Sequence, residues 1–178
     1  MRTLSPVTTL LCVLFFSLRP ALPGLEMKKI YANKVEILLP KGFALMSDAI
    51  KRSKYPAANR PDLVYADSDG NVNVAFNHTQ NKATQAQMGA MTESLSASLK
   101  KAYPTAKFSG TGVSTINGRK VGYCELVTPA IDQEIYNLIF FTDLDGRLLL
   151  CTFNCTVSKR GEWQPVAKRI FNSLTIKG

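Results

Sequence analysis

Between Tyr136 and Phe153 the chain runs Tyr-Asn-Leu-Ile-Phe-Phe, turns at Asp143-Leu-Asp-Gly146 and returns as Leu-Leu-Leu-Cys-Thr-Phe. A loop this short joins neighbouring strands, which must then be antiparallel. Both strands are apolar on both faces, which places them centrally in a sheet covered on each side. That cover must come from helices, from long loops or from a partner. This stretch constrains the fold more than any other.

Turn signals recur along the chain. Ala32-Asn33-Lys34 separates 29–31 from 35–40, Asp67–Asn71 separates 63–66 from 72–76, and Asn117-Gly118 is a strong two-residue hairpin signal. In the strand 72–78, Val72, Val74, Phe76 and His78 share one face, and Asn73, Ala75 and Asn77 share the other. Two segments change to helical period. Thr84-Gln-Ala-Gln87 fits a capping box; Met88, Met91, Leu95, Leu99 and Tyr103 then form a stripe that Pro104 ends. A second helix opens near Gly161, tolerates Pro165 in its first turn and places Trp163, Val166, Ala167, Ile170 and Leu174 on one face. A helical turn over 48–54 is capped by Ser47, and a short strand at 174–177 closes the chain. The expected fold is α+β: a single antiparallel sheet of about six or seven strands, covered by two main helices.

The first 26 residues read differently. Arg2 precedes a nine-residue apolar run, Leu10–Leu18, which Arg19 and Pro20 end; it is too short to span a bilayer. It reads as a signal peptide with a poor cleavage site near Gly24. Alternatively Met27-Lys28-Lys29 is the true start, or the segment is an uncleaved anchor. The protein is expected to be exported, periplasmic or extracellular, in the first case and cytoplasmic in the second. Setting 1–26 aside leaves one domain over 27–178, with 20 basic and 12 acidic residues and a net charge of +8.

The segments Val-Glu-Ile-Leu-Leu-Pro-Lys-Gly-Phe (35–43), Thr-Ile-Asn-Gly-Arg-Lys-Val-Gly-Tyr (115–123) and Trp-Gln-Pro-Val-Ala-Lys-Arg-Ile-Phe-Asn-Ser-Leu (163–174) resemble those of PsbP-like and DcrB-like proteins. The resemblance is one of pattern and element order over about 29–177. It implies a PsbP-like domain and a non-catalytic binding, assembly or chaperone-like role through protein–protein contacts. Cys12 has no lipobox around it, which separates this chain from the lipoprotein branch.

The residues that could carry chemistry are few. Cys151 and Cys155 lie four apart on one strand, roughly 13 Å, too far for a disulfide or a shared zinc. Cys124 could face Cys151 or Cys155 from a neighbouring strand and bridge to it; otherwise the three thiols are small buried hydrophobes. An odd count of three fits a reducing compartment. His78 is the one histidine, either a hydrogen-bonded core residue or a ligand contact beside Asn77 and Asn154. As half of a Cys–His nucleophile pair it would need a thiolate and an orienting third group, which makes a Cys/His-dependent enzyme the alternative reading. Glu125, mid-strand, must be exposed or paired. No phosphate loop, HExxH or GxSxG pattern occurs, so no catalytic residue, metal ligand or cofactor is assigned.

Basic residues are dispersed, with one denser stretch: Lys51, Arg52, Lys54 and Arg60, with Tyr55, in a connection flanked by Pro56 and Pro61. No aromatic RNA-binding motif or recognition helix accompanies them, so specific nucleic-acid binding is not expected. The expected partner is a protein, favoured if acidic, with no integral membrane span. Charge-driven binding to an anionic membrane surface or nucleic acid is the remaining alternative.

Overall fold

The computed structural model describes residues 23–56 and 60–177. Of the expected signal peptide or over-extended start at 1–26, residues 1–22 lie outside the described residues. The first strand, β1 (Leu25–Ile30), pairs with β2 (Val35–Pro40), Leu25 opposite Pro40. The expected boundary between 26 and 27 therefore falls two residues inside a strand: Leu25 and Glu26 belong to the fold. The turn between them holds Tyr31, Ala32 and Asn33 at positive φ, and Tyr31 accepts from the Lys34 N–H.

Next come the two-residue β3 (Ala44–Leu45), helix α1 (Asp48–Lys54), β4 (Leu63–Ala66) and β5 (Val72–Lys82). Ser47 Oγ accepts from the Ile50 N–H, so α1 is capped as the sequence indicates. A 3-10 turn at Gln85–Gln87 leads into α2 (Met88–Ala102). The capping box does not close: Thr84 Oγ1 donates to Gln87 Oε1 at 3.0 Å rather than accepting a backbone N–H. Then β6 (Lys107–Ile116), β7 (Arg119–Pro129), β8 (Glu134–Leu144) and β9 (Arg147–Thr156) follow as an antiparallel meander, and α3 (Arg160–Ser173) and β10 (Thr175–Ile176) end the fold.

The main sheet has seven strands in the order β3-β4-β5-β9-β8-β7-β6, every pair antiparallel. The opening hairpin does not join it. Instead β1, β2 and β10 make a second, three-stranded sheet. That small sheet and α3 cover one face of the main sheet. Val35, Ile37 and Leu39 meet Val74, Phe76, Leu138, Phe140 and Phe153 there, all fully buried, together with Val166 and Ile170 of α3. Trp163 packs between Phe43 and Phe153, at 5.7 and 6.2 Å between ring centres. Each of these large side chains stabilises the fold by about 1.5–3 kcal/mol.

The other face is covered only in part. Helix α2 lies over β6 and β7. Its buried residues are Met88, Thr92 and Ser96, while Met91, Leu95 and Leu99 sit at its flank and Tyr103 is exposed. The expected apolar stripe is thus rotated away from the closest contact. Gly122 of β7 is the reason. A Cβ there would lie 2.3 Å from Phe141 Cζ and 2.5 Å from Thr92 Oγ1, so the helix approaches the bare backbone through a small polar residue. With α2 drawn to that edge, β9 alternates strictly: Leu149, Cys151, Phe153 and Cys155 are buried, whereas Leu148, Leu150, Thr152 and Asn154 are half-exposed. Full cover on both sides, as the apolar strands suggest, holds for one face only.

Candidate functional site

Strand register assembles a polar row on this partly covered face. Asn73 of β5 stands opposite Asn154 of β9, which stands opposite Asn137 of β8. Asn154 Nδ2 donates to Asn137 Oδ1, and Asn137 Nδ2 donates to Thr128 Oγ1 and to the Ile135 carbonyl at 3.0 and 2.9 Å. Asn73 is only 4% exposed. Its Oδ1 accepts from the Tyr55 hydroxyl at 3.4 Å, and its Nδ2 has no hydrogen-bond partner among the described residues. Tyr55 reaches it because α1 ends there, and burial raises the Tyr55 phenol above its ordinary value. Together Lys54, Tyr55, Asn73, Gln133, Asn154 and Thr156 line a cleft of about 310 Å³. No carboxylate lines it.

The structure therefore brings together three residues that the sequence singles out, Lys54, Tyr55 and Asn154. It adds Asn73 and Asn137, which sequence reasoning did not select. The signal was there in the three asparagines, but only the register aligns them.

The basic stretch is less positive than its composition. The Lys51 ammonium donates to the Asp62 carbonyl at 2.6 Å and lies 3.1 Å from Asp48, whose carboxyl it holds below the usual range. Lys54 Nζ donates to the Gly70 carbonyl. Arg52 is exposed and Arg60 half-buried, and both line one shallow depression with Lys51, Asp48 and Asp62. Three cations there face two carboxylates.

His78 is not beside Asn77 and Asn154. It points to the core face with Val72, Val74 and Phe76, while Asn77 and Asn154 lie on the opposite face. Asn77 stands four residues along β5 from Asn73 and outside the cleft. The imidazole is held as a structural group. Its Nε2 donates to the Leu144 carbonyl at 2.8 Å, and its Nδ1 accepts from Arg147 at 3.2 Å, since a guanidinium can only donate. Tyr31 packs edge-on against the ring.

The thiols are free and buried. Cys124 shares a row with Ile139 and Thr152, whereas Cys151 and Cys155 point to the α3 side. A bridge from Cys124 to either would have to cross the sheet, which excludes it. Burial raises all three thiols, Cys155 up to about 12, and Lys159 and Arg160 only partly offset this at Cys155. Nucleophilic thiolate needs the opposite environment.

Glu125 resolves as paired. It is 4% exposed on the α3 side and accepts from Tyr136 Oη at 2.8 Å, from Gln164 Nε2 at 2.6 Å and from Lys168 Nζ. Burial pushes its pKa up, but the donors from Lys168, Tyr136 and Gln164 outweigh that and hold it below the ordinary value. Among the described residues no His/Cys/Asp/Glu cluster could hold a metal ion, and no helix is long and apolar enough to cross a membrane.

No family model matches the sequence, and neither does any curated protein. Solved structures do. The cyanobacterial PsbP (CyanoP) of Synechocystis superposes with a TM-score of 0.64 at 13% identity, over 89% of this chain and 95% of that one. The chain has the PsbP-like fold. LpqN of Mycobacterium tuberculosis, described as involved in cell envelope biogenesis, matches with a TM-score of 0.53 at 12% identity, over 86% of this chain and 92% of its own. A Pseudomonas aeruginosa protein of unknown function matches at 0.50 and 11% identity, over 86% and 98% of the two chains. At these identities the PsbP-like fold is what is shared; function has to be argued from the surfaces of this chain.

Proposed function

We propose that this PsbP-like protein is a non-catalytic binding protein that engages a protein partner through the corner formed by β3 and α1. The observation that carries this reading is that α1 buries none of its residues. A seven-residue helix that contributes nothing to the core needs another reason to be held in place. Ile50 of α1 is 58% exposed, and Leu45 of β3 is 54% exposed; both line one surface depression with Lys54. Lys54, Asp67 and Asp69 are the charged residues of that depression, and Lys51 and Arg52 line the neighbouring one; two exposed aliphatic side chains so flanked fit a contact with an apolar centre and a charged rim. An acidic group on the partner would complement the exposed Arg52 of the neighbouring depression. The PsbP-like neighbours and the buried, raised thiols support a role without covalent chemistry.

The test is site-specific photo-crosslinking in producing cells, with the crosslinker at Ile50, at Arg52 and at the exposed Ser94 of α2. One recurrent adduct from the first two positions and none from the third is expected. Adding Ile50→Glu to the Arg52 crosslinker variant should abolish that adduct while the melting temperature stays within about a degree, because neither side chain is packed. An adduct equally strong from Ser94, or unaffected by Ile50→Glu, rejects the corner as the contact.

A further inference from the structure

The asparagine cleft does not stand alone on its face of the sheet. Two rows further along the strands, Met91 and Leu95 of α2 overhang Phe141, Leu148 and Leu150 around a groove of about 250 Å³ that no charged residue lines. Between cleft and groove lies the row Ala75–Thr152–Ile139, which carries no charge; Thr152 and Ile139 are half-exposed. From Asn154 to Leu148 is six residues of one strand, about 20 Å. One trough thus runs along β9, with hydrogen-bond donors at one end and aliphatic side chains at the other.

The donor end is unusual in one respect. Asn73 is 4% exposed as a residue, and its Nδ2, which has no acceptor among the described residues, opens to the cleft. An amide N–H that opens into a cleft without a protein acceptor is available to an acceptor from outside. Lys54 at the same cleft has spent one of its three N–H donors on Gly70. With one ammonium, one free amide and no carboxylate, this end fits an anionic, acceptor-rich group.

We infer that the trough binds a single-chain anionic amphiphile of the fatty-acid class. Its carboxylate accepts from Asn73 Nδ2 and the Lys54 ammonium, and its chain lies over Thr152 to end among Met91, Leu95, Leu148 and Leu150. Of the residues named for the protein contact at the α1 corner only Lys54 is shared, because neither Leu45 nor Ile50 lines the trough.

Titration calorimetry of the full chain with dodecanoate, below its micelle concentration, tests it. One-to-one binding is expected, with butanoate and dodecyltrimethylammonium each at least tenfold weaker, since one lacks the chain and the other carries the wrong head charge. Asn73→Ala should weaken dodecanoate by about tenfold or more, the worth of a hydrogen bond to a charged group. Thr152→Trp sits on a half-exposed strand position where an aromatic residue is tolerated, so it keeps the test alive should Asn73→Ala fail to fold. It should plug the trough and abolish dodecanoate binding. Ile50→Glu should leave the affinity unchanged. No binding of dodecanoate overturns the inference, as does equal binding of the cationic amphiphile or undiminished binding by folded Thr152→Trp. Adsorption to phosphatidylglycerol vesicles without binding of monomeric dodecanoate overturns it too, in favour of a membrane surface.

Discussion

Gly122→Ala isolates the contact that positions α2. The added methyl would stand 2.3 and 2.6 Å from two Phe141 ring carbons and 2.5 Å from Thr92 Oγ1. Non-bonded carbons rest at about 3.5–4.0 Å, so more than an ångström must be absorbed. Neither neighbour yields easily. Phe141 is 2% exposed, and the Thr92 hydroxyl is tied to the Met88 carbonyl at 2.7 Å. Overpacking of this kind costs about 1–3 kcal/mol. Replacing glycine by alanine in a strand returns roughly 0.5–1 kcal/mol through the unfolded chain. The expected net loss is about 1 kcal/mol, a fall of roughly 2–4 °C in melting temperature for a chain of this size. Urea unfolding followed by the fluorescence of Trp163, the sole tryptophan, measures it. Phe141→Leu should be less damaging in the Gly122→Ala background than in the wild type, giving a coupling of about 0.5–3 kcal/mol. Gly89→Ala is the control. It lies on the exposed side of α2 with nothing within 4 Å of the new methyl, and should stabilise by about 0.5–1 kcal/mol. If Gly122→Ala is as stable as Gly89→Ala, the close approach of α2 to β7 does not exist as described.

The Glu125 network makes stability depend on acid. Its folded pKa is depressed, so its contribution is present above the unfolded value of about 4.3 and is lost as pH falls through the folded value. The stability difference between wild type and Glu125→Gln, followed by urea unfolding from pH 7 to 3, should therefore shrink across the acid limb; a constant difference refutes the pairing. Peptide mapping after a brief maleimide pulse should find Cys124, Cys151 and Cys155 unlabelled in native protein and labelled in urea, because burial holds all three thiols protonated. Native labelling of any one of them would contradict its burial.

Much of the fold was legible because its signals are local. The turns at Asp143–Gly146 and Asn117-Gly118, the periodicity of Trp163 to Ile170 and the capping serine at 47 each act within a few residues, and each is seen in the structure. What failed depends on spacing between elements. Hydrophobic periodicity assigned Met91, Leu95 and Leu99 to the contact face of α2, but closeness at Gly122 selected Thr92 and Ser96 instead. The opening hairpin looks like any other in sequence, and only its pairing with β10 removes it from the main sheet. The candidate site was half legible. Lys54 and Tyr55 stood out by composition, while Asn73 and Asn137 became meaningful only through register. His78 and Asn77, adjacent in sequence, were separated by the alternation that defines a strand.

The pairing of β2 with β10 also bears on how the chain is made. Glu36 and Val35 meet Thr175 and Ile176, almost the whole domain apart. During synthesis the β1–β2 hairpin leaves the ribosome before β10 and presents an open edge until β10 emerges. Contacts so distant along the chain slow folding, and an unpaired edge invites pairing with other chains. Yield on expression should therefore suffer from truncation that removes even the few residues of β10, because the β2 edge then stays open.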